Sequence, residues 1–385
     1  MKVEDIKDFV QSANINFLIG SGLSVPYLST LKAIESHLTA LSEKSDLKDD
    51  VIKLIKASLY SEYFDKVIWP SGYIVNDDRY RKVLTEYRMF IDTWNSIIHN
   101  RCGNLRSKQI NIFTTNIDLF LENASGLCEV EMNDGFIGSI EPIFNESNFQ
   151  KTIIKNSIHF QNSTELPVFN ILKMHGSINW KQNDNGAICN DYNSSLIQSV
   201  KDKHTELMGK SAFIAYNDKL DEMIHIASEK CATGFKCSVF DAFLEEYEKL
   251  IIVNPTKRKF SETVIDVHFY ELMRLFSNSL EKENTLLFVM GFSFADEHIL
   301  NITKRALQTN PTLLIVVFAY DDDANDSYNE KFGSVCNVKV LNASRYNDDN
   351  ELKGDKAVEK FDFASINAVY SDILEKIPVR FDYGK

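Results

Sequence analysis

The sequence predicts an α/β protein whose core is a parallel sheet covered by helices on both faces. Its short apolar runs lack the alternating polar residues of a half-exposed strand, so each run predicts a strand buried on both sides. The stretches between the runs carry apolar residues at helical spacing. Strands that alternate with helices in this way indicate a Rossmann-like fold class. The predicted strands span residues 15–19, 109–116, 168–174, 250–253, 286–290 and 313–318.

The first part of the chain predicts one strand between two helical regions. Val3, Ile6, Phe9 and Val10 fall at helical spacing, and the strand that follows them runs into a glycine turn at Gly20. The long helical stretch after this turn interrupts the alternation of strands and helices, so it predicts an inserted helical module. The elements are a helix over 3–13, a helix from about 31, and a module over about 45–105 with a loop around 69–72 and its clearest helix over 80–98.

The remainder returns to strands followed by helices. We expect residues 1–320 to form one domain and residues 321–385 a C-terminal extension. An insertion over about 181–245 is polar, and we expect it to be irregular apart from a helical stretch near 218–230. The predicted helices lie at 117–123, 262–281, 295–307 and 366–377, with a last strand over 338–341.

Composition excludes several classes of partner. The formal net charge is −13, from 42 basic and 55 acidic residues without a long basic run, so we expect no direct contact with nucleic acid. No apolar run approaches the roughly 18 residues that a membrane span needs, and the first residues lack the apolar core of a signal peptide. We therefore expect a cytoplasmic protein with no membrane association.

The cysteines predict free thiols. None of the six forms the paired spacing of a zinc ribbon. We therefore expect no metal site and no structural zinc. The six are Cys102, Cys128, Cys189, Cys231, Cys237 and Cys336.

Four polar signatures share one property, which is that each follows an apolar strand. In open parallel sheets, ligands bind outside the carboxyl ends of the strands. We therefore expect the four signatures to converge in space. They are Gly20-Ser21-Gly22-Leu23-Ser24, Thr114-Thr115-Asn116-Ile117-Asp118, Met174-His175-Gly176-Ser177 and Gly291-Phe292-Ser293-Phe294-Ala295-Asp296.

Each signature also has a purely structural interpretation. A Gly-x-Gly turn after a strand is often only a turn, and the G-x-G-x-x-G spacing is not met because residue 25 is Val. Asn116 or Asp118 could cap the following helix. His175 could be a buried histidine with satisfied hydrogen bonds. Ser293 or Asp296 could cap the next helix instead of reaching a ribose hydroxyl.

Taken together and in this order, the four signatures resemble those of the sirtuin family. Its NAD site uses a glycine turn of the form G-A-G-x-S, a T-x-N-x-D segment, a catalytic His-Gly and a late G-x-S. The corresponding segments here are GSGLS (20–24), TTNID (114–118), HGS (175–177) and GFS (291–293), and the resemblance spans residues 15 to about 320. The phrases IIVNPTKRKF and GFSFADEHI are similar to the divergent sirtuin-like proteins of bacterial anti-phage defence, which include partners of HerA-type ATPases.

The resemblance implies that NAD is a substrate and that its nicotinamide–ribose bond is cleaved. Asp118 would accept from the nicotinamide carboxamide, and Asn116 would orient the ribose or a water molecule. His175 would bind a ribose hydroxyl and act as general base, a role that suits imidazole near neutral pH. The remaining NAD-binding residues would be Gly20, Ser21, Gly22 and Ser24 at the phosphates, Ser293 and Asp296 at the adenosine ribose, and Thr115 and Gly291 beside them.

Departures from the sirtuin pattern bear on which molecule accepts the ADP-ribose released from NAD. Protein-deacylating sirtuins continue past the first motif with an Arg-containing segment, whereas this chain has Val25-Pro26-Tyr27-Leu28. They also carry a four-cysteine zinc module, which is missing here. Without the peptide groove that accompanies this module, water is the expected acceptor, and the chain would be an NAD glycohydrolase. The alternatives are an NAD-dependent protein deacylase and a module that senses NAD or ADP-ribose.

Apolar helix faces bear on assembly. The helices within 45–105 and the terminal helix offer apolar faces beyond those that cover the sheet. With the resemblance to ATPase-partnered proteins, they predict a homo-oligomer that docks a hexameric HerA-type ATPase through a protein surface. The residues of the terminal face are Ile366, Val369, Ile373 and Ile377.

Overall fold

The computed structural model describes residues 2–29, 32–44, 46–72, 77–101, 106–253, 267–333 and 335–378. It confirms the predicted α/β fold class, with one large parallel sheet covered by helices. The strands are β1 (Asn14–Ile19), β2 (Gln109–Thr114), β3 (Glu131–Asn133), β4 (Phe136–Ile137), β5 (Ile143–Phe144), β6 (Ile154–Asn156), β7 (Ser163–Glu165), β8 (Val168–Lys173), β9 (Trp180–Gln182), β10 (Ile188–Asn190), β11 (Thr285–Met290), β12 (Leu314–Phe318) and β13 (Val338–Leu341).

The helices lie before, between and after these strands. They are α1 (Val3–Ser12), α2 (Lys32–Glu43), α3 (Asp49–Tyr63), α4 (Trp69–Ser71), α5 (Asp78–His99), α6 (Phe120–Leu127), α7 (Ser195–Gly209), α8 (Leu220–Ala232), α9 (Asp241–Glu248), α10 (Val267–Leu280), α11 (Glu297–Thr309), α12 (Asp322–Phe332), α13 (Ala343–Asp349) and α14 (Phe363–Glu375).

The central sheet has seven parallel strands in the order β13-β12-β11-β1-β2-β8-β3. Without β3, the six others follow the Rossmann order 3-2-1-4-5-6 in chain sequence. The order reverses between β1 and β11, which is where ligands bind in such sheets. The edge strand β3 was not expected from the sequence because it has three residues and is partly exposed, so it carries no apolar run.

Different helices cover the two faces of the sheet. On one face, α1, α5 and α14 pack against the odd-numbered residues of β1, and Phe17 meets Phe90 and Trp94 at ring-centroid distances of 5.0 and 4.8 Å. On the other face lie α10, α11 and α12. A third core joins α2 and α3 to α7, α8 and α9. The predicted helical module therefore divides, because α5 covers the sheet while α3 belongs to the third core.

The segment over 181–245 differs from the irregular insertion that we expected. It contains α7 and α8 and the start of α9, with β9 and β10 before them. The helical stretch expected near 218–230 corresponds to α8. α7 was not expected, because it buries only a narrow stripe, which includes Ile197, Val200 and Leu207, and exposes polar residues elsewhere. The apolar stripes of these helices are covered by α3 and by one another.

The prediction of a loop around 69–72 is also wrong. A π-helical segment, Phe64–Ile68, continues α3 into α4 and carries Pro70 inside helical structure. Pro70 lacks an N–H and is the second residue of α4. The Ser71 hydroxyl donates to the Val67 carbonyl oxygen at 2.6 Å, which satisfies one carbonyl of the π-helical segment.

Two further boundaries differ from the expectation. Residues 250–253 do not join the sheet as a strand; Ile252 forms a single antiparallel bridge with Gly176. The helix expected over 117–123 begins at Phe120 instead, because the Asp118 carboxylate accepts from the Phe120 N–H at its start. The first residues of the helix expected over 262–281 lie outside the described residues, and α10 follows from Val267.

A row of asparagines crosses the middle of the sheet. Asn16, Asn111, Asn170 and Asn133 occupy neighbouring register positions on β1, β2, β8 and β3. Each side-chain amide donates to the next amide oxygen at 2.9 Å, from Asn111 to Asn16, from Asn170 to Asn111 and from Asn133 to Asn170. The row places polar groups inside a buried sheet and pairs them across its strands.

The apolar face of α14 is covered by its own chain. Ile366, Val369 and Ile373 are buried against α5 and the sheet, and Ile377 is buried beyond the helix end. This face is therefore not available to a second copy of the chain, and the oligomer predicted from it has no support here. Among the helices that the structure describes, none combines the length and the apolar character needed to cross a membrane.

Candidate functional site

The four polar signatures follow four adjacent strands. Strands β11, β1, β2 and β8 are neighbours and parallel, so the loops after them leave the same edge of the sheet. The loops after β1 and β11 flank the point where the strand order reverses. All four signatures therefore lie at one edge of the sheet, as expected from their positions at strand ends.

The two glycine turns pack directly on each other. The N–H groups of Gly20 and Gly22 donate to the carbonyl oxygens of Met290 and Gly291, both at 3.0 Å. A Cβ on Gly20 would lie 2.4 Å from the Gly291 carbonyl oxygen, and one on Gly291, which has φ +61°, would lie 2.7 Å from the Leu23 nitrogen. Close backbone packing thus requires these glycines. The N–H groups of Gly20 and Gly22 serve this packing, and Ser21 and Gly22 are exposed at its rim.

Asn116 is held by its amide nitrogen. Nδ2 donates to the Gly20 carbonyl oxygen at 3.2 Å and to Ser24 Oγ at 3.3 Å, and it lies 3.5 Å from the Tyr87 hydroxyl. The Asn116 N–H donates to Thr114 Oγ1 at 3.0 Å, which fixes the backbone after β2. Asn116 is only 7 % exposed, and its Oδ1 has no hydrogen-bond partner among the described residues.

Asp118 lies beside Asn116 in a buried hydrogen-bond network. Ser24 Oγ donates to Asp118 Oδ2 at 2.8 Å, and the Phe120 N–H donates to Oδ1 at 3.2 Å. Burial raises the pKa of Asp118 above its ordinary value, while the charge of Lys173 and the hydrogen bonds from Ser24 and Phe120 oppose this rise. Ser24 is fully buried, so the structure places it with Asn116 and Asp118 and away from the exposed part of the glycine turn.

A buried lysine, Lys173, contacts this network. The Lys173 ammonium lies at the end of β8, where it donates to the Asp118 carbonyl oxygen and forms an ion pair with Glu122 at 2.9 Å. Lys173 is 3 % exposed. Burial raises the pKa of Glu122, and Lys173 opposes this rise. The lysine thus supplies the positive charge beside two buried carboxylates.

His175 pairs with Asp296 across the sheet edge. His175 Nε2 lies 3.1 Å from Asp296 Oδ2, and both side chains are more than nine-tenths buried. Asp296 Oδ1 accepts from the N–H groups of His298 and Ile299 at 3.0 and 3.2 Å, so Asp296 also caps the N-terminus of α11. The capping interpretation of Asp296 is therefore correct. The same carboxylate contacts the candidate base.

The loop that carries His175 is clamped by the segment over 251–253. The Val253 N–H donates to the His175 carbonyl oxygen at 2.9 Å, and the Ser177 N–H donates to the Ile251 carbonyl oxygen at 3.2 Å. Gly176 has φ +77°, and a Cβ there would lie 2.0 Å from the Ile251 oxygen. Only glycine fits between these two backbones, so the His175 loop has little freedom.

The other predicted residues occupy the periphery. Ser293 is exposed, and Thr115 is half-buried, with its N–H donating to the Ile19 carbonyl oxygen at 3.3 Å. Ser177 is buried and donates to Asn179 Oδ1 at 2.6 Å. The structure therefore brings Asn116, Asp118 and Ser24 into one network and His175 and Asp296 into a second contact.

Sequence reasoning missed three members of the buried network, namely Tyr87, Lys173 and Glu122. Lys173 carried a signal, because it is a charged residue at the end of the otherwise buried strand VFNILK. Tyr87 and Glu122 carried none, since they lie on helices where tyrosine and glutamate are ordinary. Burial and Asp118 raise the pKa of Tyr87 well above its ordinary value, so its hydroxyl remains a neutral donor.

The cysteines show no zinc module in the described part of the chain. Cys231 Sγ lies 3.8 Å from Cys237 Sγ in the third core, whereas Cys189 lies on β10 and Cys102 falls outside the described residues. Within the described ranges, no group of three or more His, Cys, Asp or Glu side chains is arranged to hold a metal ion.

Comparison with protein-family models gives no match for this chain, and comparison with curated proteins gives no match either.

Proposed function

We propose that this chain is an NAD⁺ glycohydrolase, which cleaves the nicotinamide–ribose bond with water to give nicotinamide, ADP-ribose and a proton. The observation that carries the proposal is the buried Asn116 side chain at the carboxyl edge of the sheet. Its amide nitrogen is fixed by three contacts, and its Oδ1 has no partner among the described residues. A buried acceptor without a partner costs about 1–3 kcal/mol, and a bound ligand hydroxyl or N–H would recover this cost.

The neighbouring groups support the same chemistry. Asn116 Oδ1 would accept from a ribose hydroxyl or from the attacking water. Asp118 would accept from the carboxamide of the leaving nicotinamide; each of its oxygens already accepts one hydrogen bond and keeps a further lone pair. His175 would bind a ribose hydroxyl and take the proton from water. The positive charge of Lys173 would balance part of the negative charge of the Asp118 and Glu122 carboxylates at this edge.

The hydrogen bonds within the glycine turns limit how these turns could bind phosphate. Because the N–H groups of Gly20 and Gly22 already donate within the protein, their contribution would be close approach of the backbone, not hydrogen bonds to phosphate. Ser21 and Ser293 are exposed beside them and would supply hydroxyl groups to the pyrophosphate and the adenosine ribose. Asp296 is already committed to His175 and to α11, which weakens its assignment to that ribose.

The biological setting rests on the sequence resemblance alone. We propose an NAD-depleting effector of anti-phage defence in the cytoplasm, assembled as a homo-oligomer and docked on a HerA-type ATPase. Since the face of α14 is buried, the docking surface would have to lie elsewhere on the chain. Light scattering tests the oligomer, and a clean monomer of 44.1 kDa at micromolar concentration would contradict it.

The decisive experiment incubates the purified chain with NAD⁺, alone and with the candidate ATPase, and measures nicotinamide and ADP-ribose by chromatography. We expect both products in equal amounts. An acyl-lysine peptide in a parallel reaction distinguishes the deacylase, which would yield acyl-ADP-ribose. Binding of NAD⁺ without nicotinamide release under all these conditions would replace the hydrolase by a sensing module.

A further inference from the structure

The contact between His175 and Asp296 joins two loops that are not adjacent. His175 follows β8 and Asp296 follows β11, and two strands, β1 and β2, lie between these. With neighbouring strands about 4.8 Å apart, the two loops start roughly 14 Å from each other. Their side chains nevertheless meet at 3.1 Å. Together the two loops therefore bridge the ends of β1 and β2, which Gly20 and Asn116 follow.

We propose that Asp296 is the positioning residue for His175, and that it fixes the imidazole in the Nε2–H tautomer, with Nδ1 as the atom that exchanges a proton. This inference rests on the proposed function and deepens it. It reassigns Asp296 from the adenosine ribose to the reacting end of the site.

The hydrogen bonds of Asp296 support this role. Oδ1 accepts from two N–H groups at the start of α11, and Oδ2 faces His175. The N-terminus of a helix favours a negative charge, and an ionised carboxylate can only accept hydrogen bonds. Nε2 must therefore donate, and in a neutral imidazole the remaining lone pair then belongs to Nδ1.

Both loops are rigid, as a positioning pair requires. Gly176 and the segment over 251–253 clamp the His175 loop. On the other side, Phe294 is buried in a left-handed conformation with φ +53°, which a non-glycine residue adopts only when its surroundings hold it there. Phe332 packs edge-on against the Phe294 ring at 5.0 Å, and the Tyr328 hydroxyl donates to the Phe292 carbonyl oxygen at 2.8 Å.

The test uses Asp296→Asn in the full chain. Asparagine is as good an N-cap as aspartate, so α11 is kept, but the carboxylate that demands an Nε2 proton is lost. The matched control is Asp321→Asn, since Asp321 caps α12 in the same way, through the Ala324 N–H at 2.9 Å. Nitrogen-15 NMR of histidine-labelled protein at pH 8 gives the tautomer, and loss of one signal in His175→Gln assigns it among the eight histidines.

We expect the neutral His175 of the parent to carry its proton on Nε2, and Asp296→Asn to shift the population toward Nδ1–H. The kcat for nicotinamide release should fall roughly 10²-fold with little change in KM, the scale of a lost orienting partner. Asp321→Asn should change neither the tautomer nor kcat. An Nδ1–H tautomer in the parent, or an unchanged tautomer in Asp296→Asn, would overturn the inference.

The tautomer is measured without NAD⁺, so it separates the two claims. If the parent shows the Nε2–H form, Asp296→Asn shifts it, and no condition yields nicotinamide, then the positioning contact stands and the hydrolase proposal fails. If nicotinamide is released but the tautomer and kcat are indifferent to Asp296→Asn, then the hydrolase stands and Asp296 is only a helix cap.

Discussion

Asparagines in the row across this sheet and Asn116 at its carboxyl edge differ in how their amides are satisfied. In the row across β1, β2, β8 and β3, each neighbouring pair of amides is joined by a hydrogen bond. Asn170, at 0 % exposure, both donates and accepts within this row. At the carboxyl edge, Asn116 donates from Nδ2 but buries an Oδ1 without a partner among the described residues.

Under the proposed function, the row is structural, and the unpartnered Oδ1 of Asn116 binds a ligand. Buried amides cost free energy unless they are paired, and the row meets this cost within the protein. Asn116 does not, although Ser24 and Tyr87 stand beside it and donate elsewhere in the network. The side chain is asparagine in both places, so what separates them is whether the amide oxygen has a hydrogen-bond partner among the described residues. Substitutions at the two places should therefore affect different measurements.

The largest expected effect is on catalysis. Asn116→Ala and His175→Ala should each lower the rate of NAD⁺ cleavage by about 10²–10⁴-fold, because each removes a positioned group at the reacting centre. The free energy of unfolding should change little for Asn116→Ala, since the substitution also removes the unpartnered Oδ1. Nicotinamide release and urea denaturation measure the two quantities. Cleavage at close to the parental rate in either variant would refute its assignment.

The next effect concerns the lysine that supports the edge. Lys173→Met should destabilise the protein by about 3–5 kcal/mol at neutral pH, because it leaves the buried Glu122 carboxylate without its partner. Lys210→Met is the matched control, since Lys210 pairs with Glu206 at 2.6 Å but both side chains are more than half exposed. An exposed pair contributes about 0–1 kcal/mol. Equal losses in the two variants would contradict the buried role of Lys173.

The stability lost in Lys173→Met should depend on pH in a defined direction. Burial raises the pKa of Asp118 and of Glu122 above their ordinary values of 3.8 and 4.5. A raised pKa contributes stability that is present below about pH 4 and is lost as pH rises through the folded-state pKa. Removing Lys173 raises both pKa values further, so the deficit of Lys173→Met should grow from acid toward neutral pH. Adding Glu122→Gln should recover part of it at neutral pH.

The fold was predictable because its main signals are local. Six predicted strands were recovered. Five of them are inner strands of the sheet, and burial on both faces makes such strands largely apolar. The sixth, 338–341, is a partly exposed edge strand that carries Lys339. The rule for buried strands failed at 250–253, where apolar residues form a clamp on the His175 loop in place of a strand. It also missed β3, which is short and partly exposed, and α7, whose buried stripe is narrow.

The candidate site was predictable only in part. Strand ends placed Asn116, Asp118, His175 and Asp296 at one edge because parallel strands share that edge. The contact between His175 and Asp296 depends on how two loops bend over the strands between them, and no local pattern encodes this. Tyr87 lies on α5, which packs on the face of the sheet that carries the odd-numbered residues of β1. Only the packing of this helix brings the Tyr87 hydroxyl close to Asn116 at the carboxyl edge.

A smaller effect belongs to the asparagine row. Asn170→Ala should lower the free energy of unfolding by roughly 2–4 kcal/mol, because it leaves both Asn111 Oδ1 and Asn133 Nδ2 without their row partners. NAD⁺ cleavage per folded molecule should stay within about 3-fold of the parent, the opposite outcome to Asn116→Ala. Urea denaturation and nicotinamide release again measure the two quantities. Strong loss of cleavage in a folded Asn170→Ala protein would erase the distinction between the two places.

The smallest effect isolates the clamp on the His175 loop. Gly176 and Gly186 have φ +77° and +78°, but a Cβ on Gly176 would lie 2.0 Å from the Ile251 oxygen, while one on Gly186 would meet nothing within 4 Å. Gly186→Ala therefore bears only the left-handed strain of about 1–2 kcal/mol, and Gly176→Ala should cost a further 1–3 kcal/mol or so from the clash. Because the clash displaces His175, only Gly176→Ala should also slow nicotinamide release. If both variants lose the same stability and keep the parental rate, then the segment over 251–253 yields without moving the histidine, and the edge is less rigid than its contacts indicate.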